Sequence, residues 1–115
     1  MPDAPSMQKA SALGGRGWLY FVAGHYEKAV EDNQQAISLS PGECTDQGSL
    51  AIALLVLGRT GEALASYDSA LVLANLKHLE AMATDLRALI EKHGDLSGTQ
   101  EALARIEARR QFLSQ

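Results

Sequence analysis

The chain has 115 residues, 14 Asp and Glu against 10 Lys and Arg, a net charge of −4 and one cysteine. That size suits one modest domain with a single core, and Cys44 alone makes no internal bridge, so the disulfide-rich secreted class is excluded and a reducing, cytoplasmic setting is expected. The acidic balance speaks against nucleic acid as a partner, and the longest apolar run, 50–57, falls far short of the ~18 to 20 residues that cross a bilayer.

In chain order, Met1-Pro2-Asp3-Ala4-Pro5-Ser6 lacks the basic start and apolar stretch of a secretory signal. Residues 13–23 form the first apolar helical stretch. Gly14, Gly15 and Gly17 cost it about 2 to 3 kcal/mol in propensity, so this helix is expected to begin only near Gly17 unless packing holds it, with residues 1–15 fraying. The same glycines do not make a phosphate loop, because no Lys-Ser/Thr ending follows and no strand precedes. Gly24 marks a turn, after which Tyr26, Ala29, Val30, Ala36, Ile37 and Leu39 recur at three- and four-residue steps up to the breaker Pro41. Cys44 reads as a small residue opening a helix, and Glu43 and Asp46 beside it raise a thiol's pKa rather than create a nucleophile.

Residues 50–57 are the third helical stretch, closed by Gly58, and Ala63, Leu64, Tyr67, Ala70, Leu71 and Ala74 form the stripe of the fourth. From Glu62 to His93 there is neither Gly nor Pro, which leaves two alternatives. Either the chain breaks at Ala74-Asn75-Leu76, or one long helix runs through and exposes apolar surface that a second copy covers by swapping. Leu76, Leu79, Met82, Ala83, Leu86, Leu89 and Ile90 make the next stripe, ending at His93-Gly94. After the 94–98 breaker cluster, residues 99–113 form a last amphipathic helix with Leu103, Ile106, Ala108, Phe112 and Leu113 inside and Arg105, Arg109 and Arg110 outside, capped by Thr99 or Ser97. Glu101 and Arg105 stand in the favourable i, i+4 order of a solvated face.

Two of these segments are copies. Gly24-His25-Tyr26-Glu27-Lys28-Ala29-Val30 and Gly58-Arg59-Thr60-Gly61-Glu62-Ala63-Leu64 share Gly and Ala at an offset of 34 residues, and Ala36-Ile37-Ser38-Leu39 is answered by Ala70-Leu71-Val72-Leu73. In the first unit Gly17, Tyr20, Gly24, Tyr26, Ala29, Ala36 and Pro41, and in the second Ala51, Leu54, Gly58, Ala63, Tyr67 and Ala70, resemble the tetratricopeptide repeat family, a 34-residue helix-turn-helix array. Asn33, Thr60 and Asn75 depart from its aromatic and proline positions, and the match covers about residues 8 to 75.

The resemblance implies an all-α fold of tandem helix-turn-helix units wound into a right-handed superhelix of about six helices. It implies one domain over 1–115, with repeats at about 10–43 and 44–77 and a divergent repeat or cap over 78–115, whose last helix closes the solenoid. Gly17, Ala29, Ala36, Ala51, Ala63 and Ala70 are then the small residues that let helix axes approach.

His25, His78 and His93 are scattered and lack the paired spacing of a zinc helix, so no metal, cofactor or catalytic group is expected, and no enzyme. In the family the first helix of each unit lines a concave groove, which the resemblance places at Gly14, Trp18, Phe21 and Val22 in unit one and Gly48, Ile52, Leu55 and Val56 in unit two. None of these is the Lys, Arg or Asn with which some members grip a C-terminal carboxylate. Trp18, Phe21, Val22, Ile52, Leu55 and Val56 are therefore the candidate groove residues of a protein-interaction scaffold, similar to small repeat-type chaperones, that holds an apolar peptide or an amphipathic helix. The alternative is a structural unit without a ligand of its own: a self-associating chain, such as a homodimer, or a piece of a longer array.

Overall fold

The computed structural model describes residues 3–115. Six helices follow one another: α1 (Ala4–Val22), α2 (Tyr26–Leu39), α3 (Cys44–Val56), α4 (Thr60–Leu73), α5 (Leu76–His93) and α6 (Thr99–Leu113), with no strand among the described residues. They pair as hairpins α1–α2, α3–α4 and α5–α6; α2 also packs on α3, α6 on α4, and both α1 and α5 touch α3. The first helices of the three hairpins thus share one layer, with α3 in the middle. Its central place explains its composition. Buried on nearly every side, α3 is apolar all round rather than striped, and Leu50 through Leu55 are all buried.

The 34-residue offset in the sequence reappears as an offset in hydrogen bonds. At the first turn Gly24 N–H donates to Phe21 O and His25 N–H to Tyr20 O; at the second Gly58 donates to Leu55 O and Arg59 to Leu54 O. Gly24 and Gly58 stand at φ +87° and +77°, the left-handed conformation that ends a helix and that glycine adopts without a Cβ penalty. Below the turns Ala29, Ala51, Ala63 and Ala70 are fully buried, so the helix pairs approach closely around Leu54 and Tyr67.

Three expectations about helix ends require correction or resolution. The first helix begins at Ala4, not near Gly17: Asp3 accepts a hydrogen bond from Ser6 N–H at 2.8 Å and Pro5 occupies the first turn. The glycines that weaken its propensity are sites of tertiary contact. A Cβ on Gly14 would collide with the Asp46 carboxylate, and one on Gly17 would lie 3.0 Å from the Asn33 amide. Of the segment expected to fray, Met1 and Pro2 lie outside the described residues.

The stretch from Glu62 to His93 is two helices. Asn75 caps α5, its side chain accepting from His78 N–H at 2.8 Å while its own N–H donates to His78 Nδ1 at 3.2 Å. This reciprocal box does the work a proline or glycine would do, and is worth about 1 kcal/mol. At α6 neither Thr99 nor Ser97 is the cap: Gly98 holds that position, and Thr99 is buried in the helix's first turn with its hydroxyl donating to Asp95 at 2.6 Å.

Asp46 makes stability pH-dependent. It is buried at the start of α3, and burial followed by repulsion from Glu43 pushes its pKa up to about 6. The folded chain therefore binds more protons than the unfolded one between about pH 4 and pH 6. Its contribution is most favourable below pH 4 and is lost as pH rises through 6. After screening by the solvent that still reaches the carboxylate at the helix start, this amounts to about 1 kcal/mol. Urea midpoints measured from pH 4 to pH 7 should fall across that window, and Asp46→Asn should remove this component of the fall and raise the midpoint at pH 7.

Candidate functional site

On α1, Trp18, Phe21 and Val22 are spaced i, i+3, i+4 and share one face. Trp18 and Phe21 stack with ring centroids 5.3 Å apart at 19°, and Phe21 meets Tyr26 edge-on at 5.5 Å. Ile52 of α3, one repeat after Trp18, stands beside them. The opposite wall is α5, whose His78, Ala81, Met82, Asp85, Ala88, Leu89, Lys92 and His93 follow the same three- and four-residue rhythm.

Between these walls lie two connected hollows. One, of about 220 Å³, is bounded by Trp18, Gly48, Ile52, Met82 and Asp85, with Tyr67 of α4 beneath. The other, of about 200 Å³, is bounded by Trp18, Phe21, Val22, Tyr26, Leu89, Lys92 and His93. Trp18, Ile52 and Asp85 border both, so the two are halves of one groove across α1, α3 and α5. At one end the Tyr26 hydroxyl and His93 Nε2 approach to 3.3 Å and tie the first hairpin to the end of α5.

Four of the six groove candidates, Trp18, Phe21, Val22 and Ile52, border these hollows. Leu55 and Val56 do not. Leu55 is 1% exposed and faces the opposite way, toward Gly98, while Val56 packs half-buried against the core. A helix that is apolar all round has no stripe from which a groove face can be picked, and that is the reason for the difference. The sequence pattern does not reveal the α5 wall, because only Met82 and Leu89 of it fall in that helix's apolar stripe and the rest lie beside the stripe among polar residues.

The groove is apolar with few polar groups. Asp85 is half-buried, and burial holds its carboxyl above the usual carboxylate range. The buried Tyr67 phenol is pushed well above its ordinary value, first by desolvation and then by the negative Asp85. Among the described residues Lys92 is the single Lys or Arg bordering either hollow. Cys44 donates to Ala70 O at 3.4 Å, and burial, then Glu43, raises its thiol pKa, so it is a capped, inert side chain. No group of three His, Cys, Asp or Glu among the described residues could hold a metal ion, and no described helix is long and apolar enough to cross a membrane.

Three helical hairpins with their first helices lining one open groove decide the architecture. The fold is that of a tetratricopeptide repeat domain. A solved structure, the first TPR of Spaghetti (RPAP3) bound to the HSP90 peptide SRMEEVD, matches it at a TM-score of 0.59 with 21% sequence identity over 95% of this chain and 96% of that one. No protein-family model and no curated protein matches the sequence. The TPR architecture accounts for the placement of Trp18 and Ile52, which occupy equivalent positions on the first helices of adjacent repeats, 34 residues apart.

Proposed function

We propose that this chain is a non-enzymatic interaction scaffold of three repeats, at about 10–43, 44–77 and 78–115, whose groove takes an apolar peptide or one face of an amphipathic helix. The observation that carries the reading is the half-exposed stack of Trp18 on Phe21, set between two apolar hollows that no other part of the described chain fills. Aromatic anchors in a concave, mostly apolar site supply most of the energy of peptide recognition. The solved TPR that it resembles was captured with a peptide, which supports the same class of partner here.

Self-association is the second reading. Val72, Leu73 and Leu76 are 75%, 42% and 45% exposed and make an apolar corner between α4 and α5, outside the groove. Light scattering over a concentration series separates the two. A monomer throughout, combined with a blue shift of Trp18 emission on adding peptides selected from a random library against the chain, is the expected result. A stable dimer that Val72→Asp disperses, with no peptide reaching Trp18, would replace the scaffold by a self-associating unit.

A further inference from the structure

The groove has one feature that apolar recognition does not explain. Asp85 stands at the junction of the two hollows, half-buried, and among the described residues neither a hydrogen bond nor an ion pair relieves its desolvation. An ionised carboxylate in that position is costly until a cation meets it. Among the described residues, none that lines the hollow it shares with Trp18, Ile52 and Met82 is a Lys or Arg. Of the two titratable rings that border this hollow, Tyr67 is kept a neutral phenol by burial, and His78 accepts the Asn75 N–H through Nδ1 and is engaged in the cap of α5.

Accepting the groove as the docking site, we infer that its partner is a segment presenting a lysine or arginine to Asp85, next to an apolar residue seated against Phe21, Val22 and Leu89. The first hollow has the form such a side chain needs: apolar walls for the methylene stem, an indole at its border for the cation's approach, and a carboxylate at the junction. Lys92 borders only the second hollow, so a basic residue is repelled there and an apolar one is not; this assigns the basic residue to the first hollow and the apolar one to the second. An acidic segment meets like charge at Asp85. The net charge of −4 steers a basic partner toward the chain at longer range.

Trp18 is the single tryptophan and borders both hollows, so its emission reports occupancy. The probes are N-acetylated, C-amidated helical peptides with a Leu/Ala face and one central lysine, and the same peptides with norleucine or glutamate in its place. The lysine series should bind about tenfold more tightly than the norleucine series and the glutamate series should not bind, in the range of desolvated charge pairing. Asp85→Asn should erase the tenfold preference for lysine over norleucine: the lysine peptides weaken, and the norleucine peptides gain because no carboxylate is left for them to desolvate. Asp85→Ser is the second variant should the amide perturb the fold.

Norleucine peptides that bind as tightly as lysine ones, or a lysine preference that survives both variants, overturn the inference and leave the apolar groove standing. Silence of Trp18 toward every series overturns the inference and the scaffold reading together.

Discussion

Gly98→Ala should destabilise the chain by about 2 to 4 kcal/mol and lower its thermal midpoint by about 10 °C, among the largest single effects expected in this fold. Two costs fall on one residue. Gly98 stands at φ +90°, where a side chain is strained by about 1 to 2 kcal/mol. An added Cβ would also lie 2.6 Å from Thr60 Cγ2 and 3.1 Å from Leu55 Cδ2. Neither neighbour can swing away, because Thr60 is β-branched at the start of α4 and its hydroxyl reaches Ser97 O, while Leu55 is enclosed in the core. Relief would require α6 to lift off α4. Gly24→Ala provides the control, since it has a comparable φ of +87° but nothing within 4 Å of the new Cβ, and should cost only about 1 kcal/mol. Urea denaturation of the two variants separates conformational strain from packing. Equal losses would mean that the α4–α6 contact yields freely.

The glycine turns show what was legible in the sequence. Gly24 and Gly58 end their helices through identical local hydrogen bonds, and a local pattern repeated at 34 residues is readable without knowledge of the rest. Six helical segments, the turn positions and the start of α6 at Thr99 followed from periodicity and breakers in the same way. What was not legible depends on residues far apart. Gly14 and Gly17 look like defects of α1 until Asp46 and Asn33 occupy the space they leave, and no local pattern announces those partners. Asn75 breaks the chain with a histidine at the third helical position instead of the usual Glu or Gln, so the capping box lacked its customary signature. The groove divides along the same line. Trp18, Phe21 and Val22 share a face by spacing alone, whereas the opposite wall depends on how the third hairpin is registered, and that register is fixed by packing on α3 and α4. Leu55 was misplaced for the same reason: only the packing of Gly98 shows which side of α3 is turned away from the groove.

Trp18→Ala should weaken binding of a groove peptide by about 2 kcal/mol or more, roughly thirtyfold, while the helical content stays close to that of the native chain. The indole borders both hollows, so its removal takes away the wall that makes them two seats rather than one wide channel. It also leaves Phe21 without its stacking partner at 5.3 Å, a contact of the kind worth about 1 kcal/mol. Trp18 is half-exposed in the free chain, whereas the residues that fill the core, among them Leu54, Tyr67, Leu79 and Leu86, are almost wholly enclosed. Truncation at Trp18 is therefore expected to fall on recognition more than on folding. Trp18→Phe keeps an aromatic face and should lose less affinity than Trp18→Ala. Because both variants remove the fluorophore, calorimetric titration with a peptide selected against the native chain is the measurement, with circular dichroism and a thermal midpoint as the check on folding. Unfolding of Trp18→Ala would make the indole a structural support. A folded variant of unchanged affinity would move the binding surface away from the groove, and the exposed corner of Val72, Leu73 and Leu76 would be the surface to mutate next.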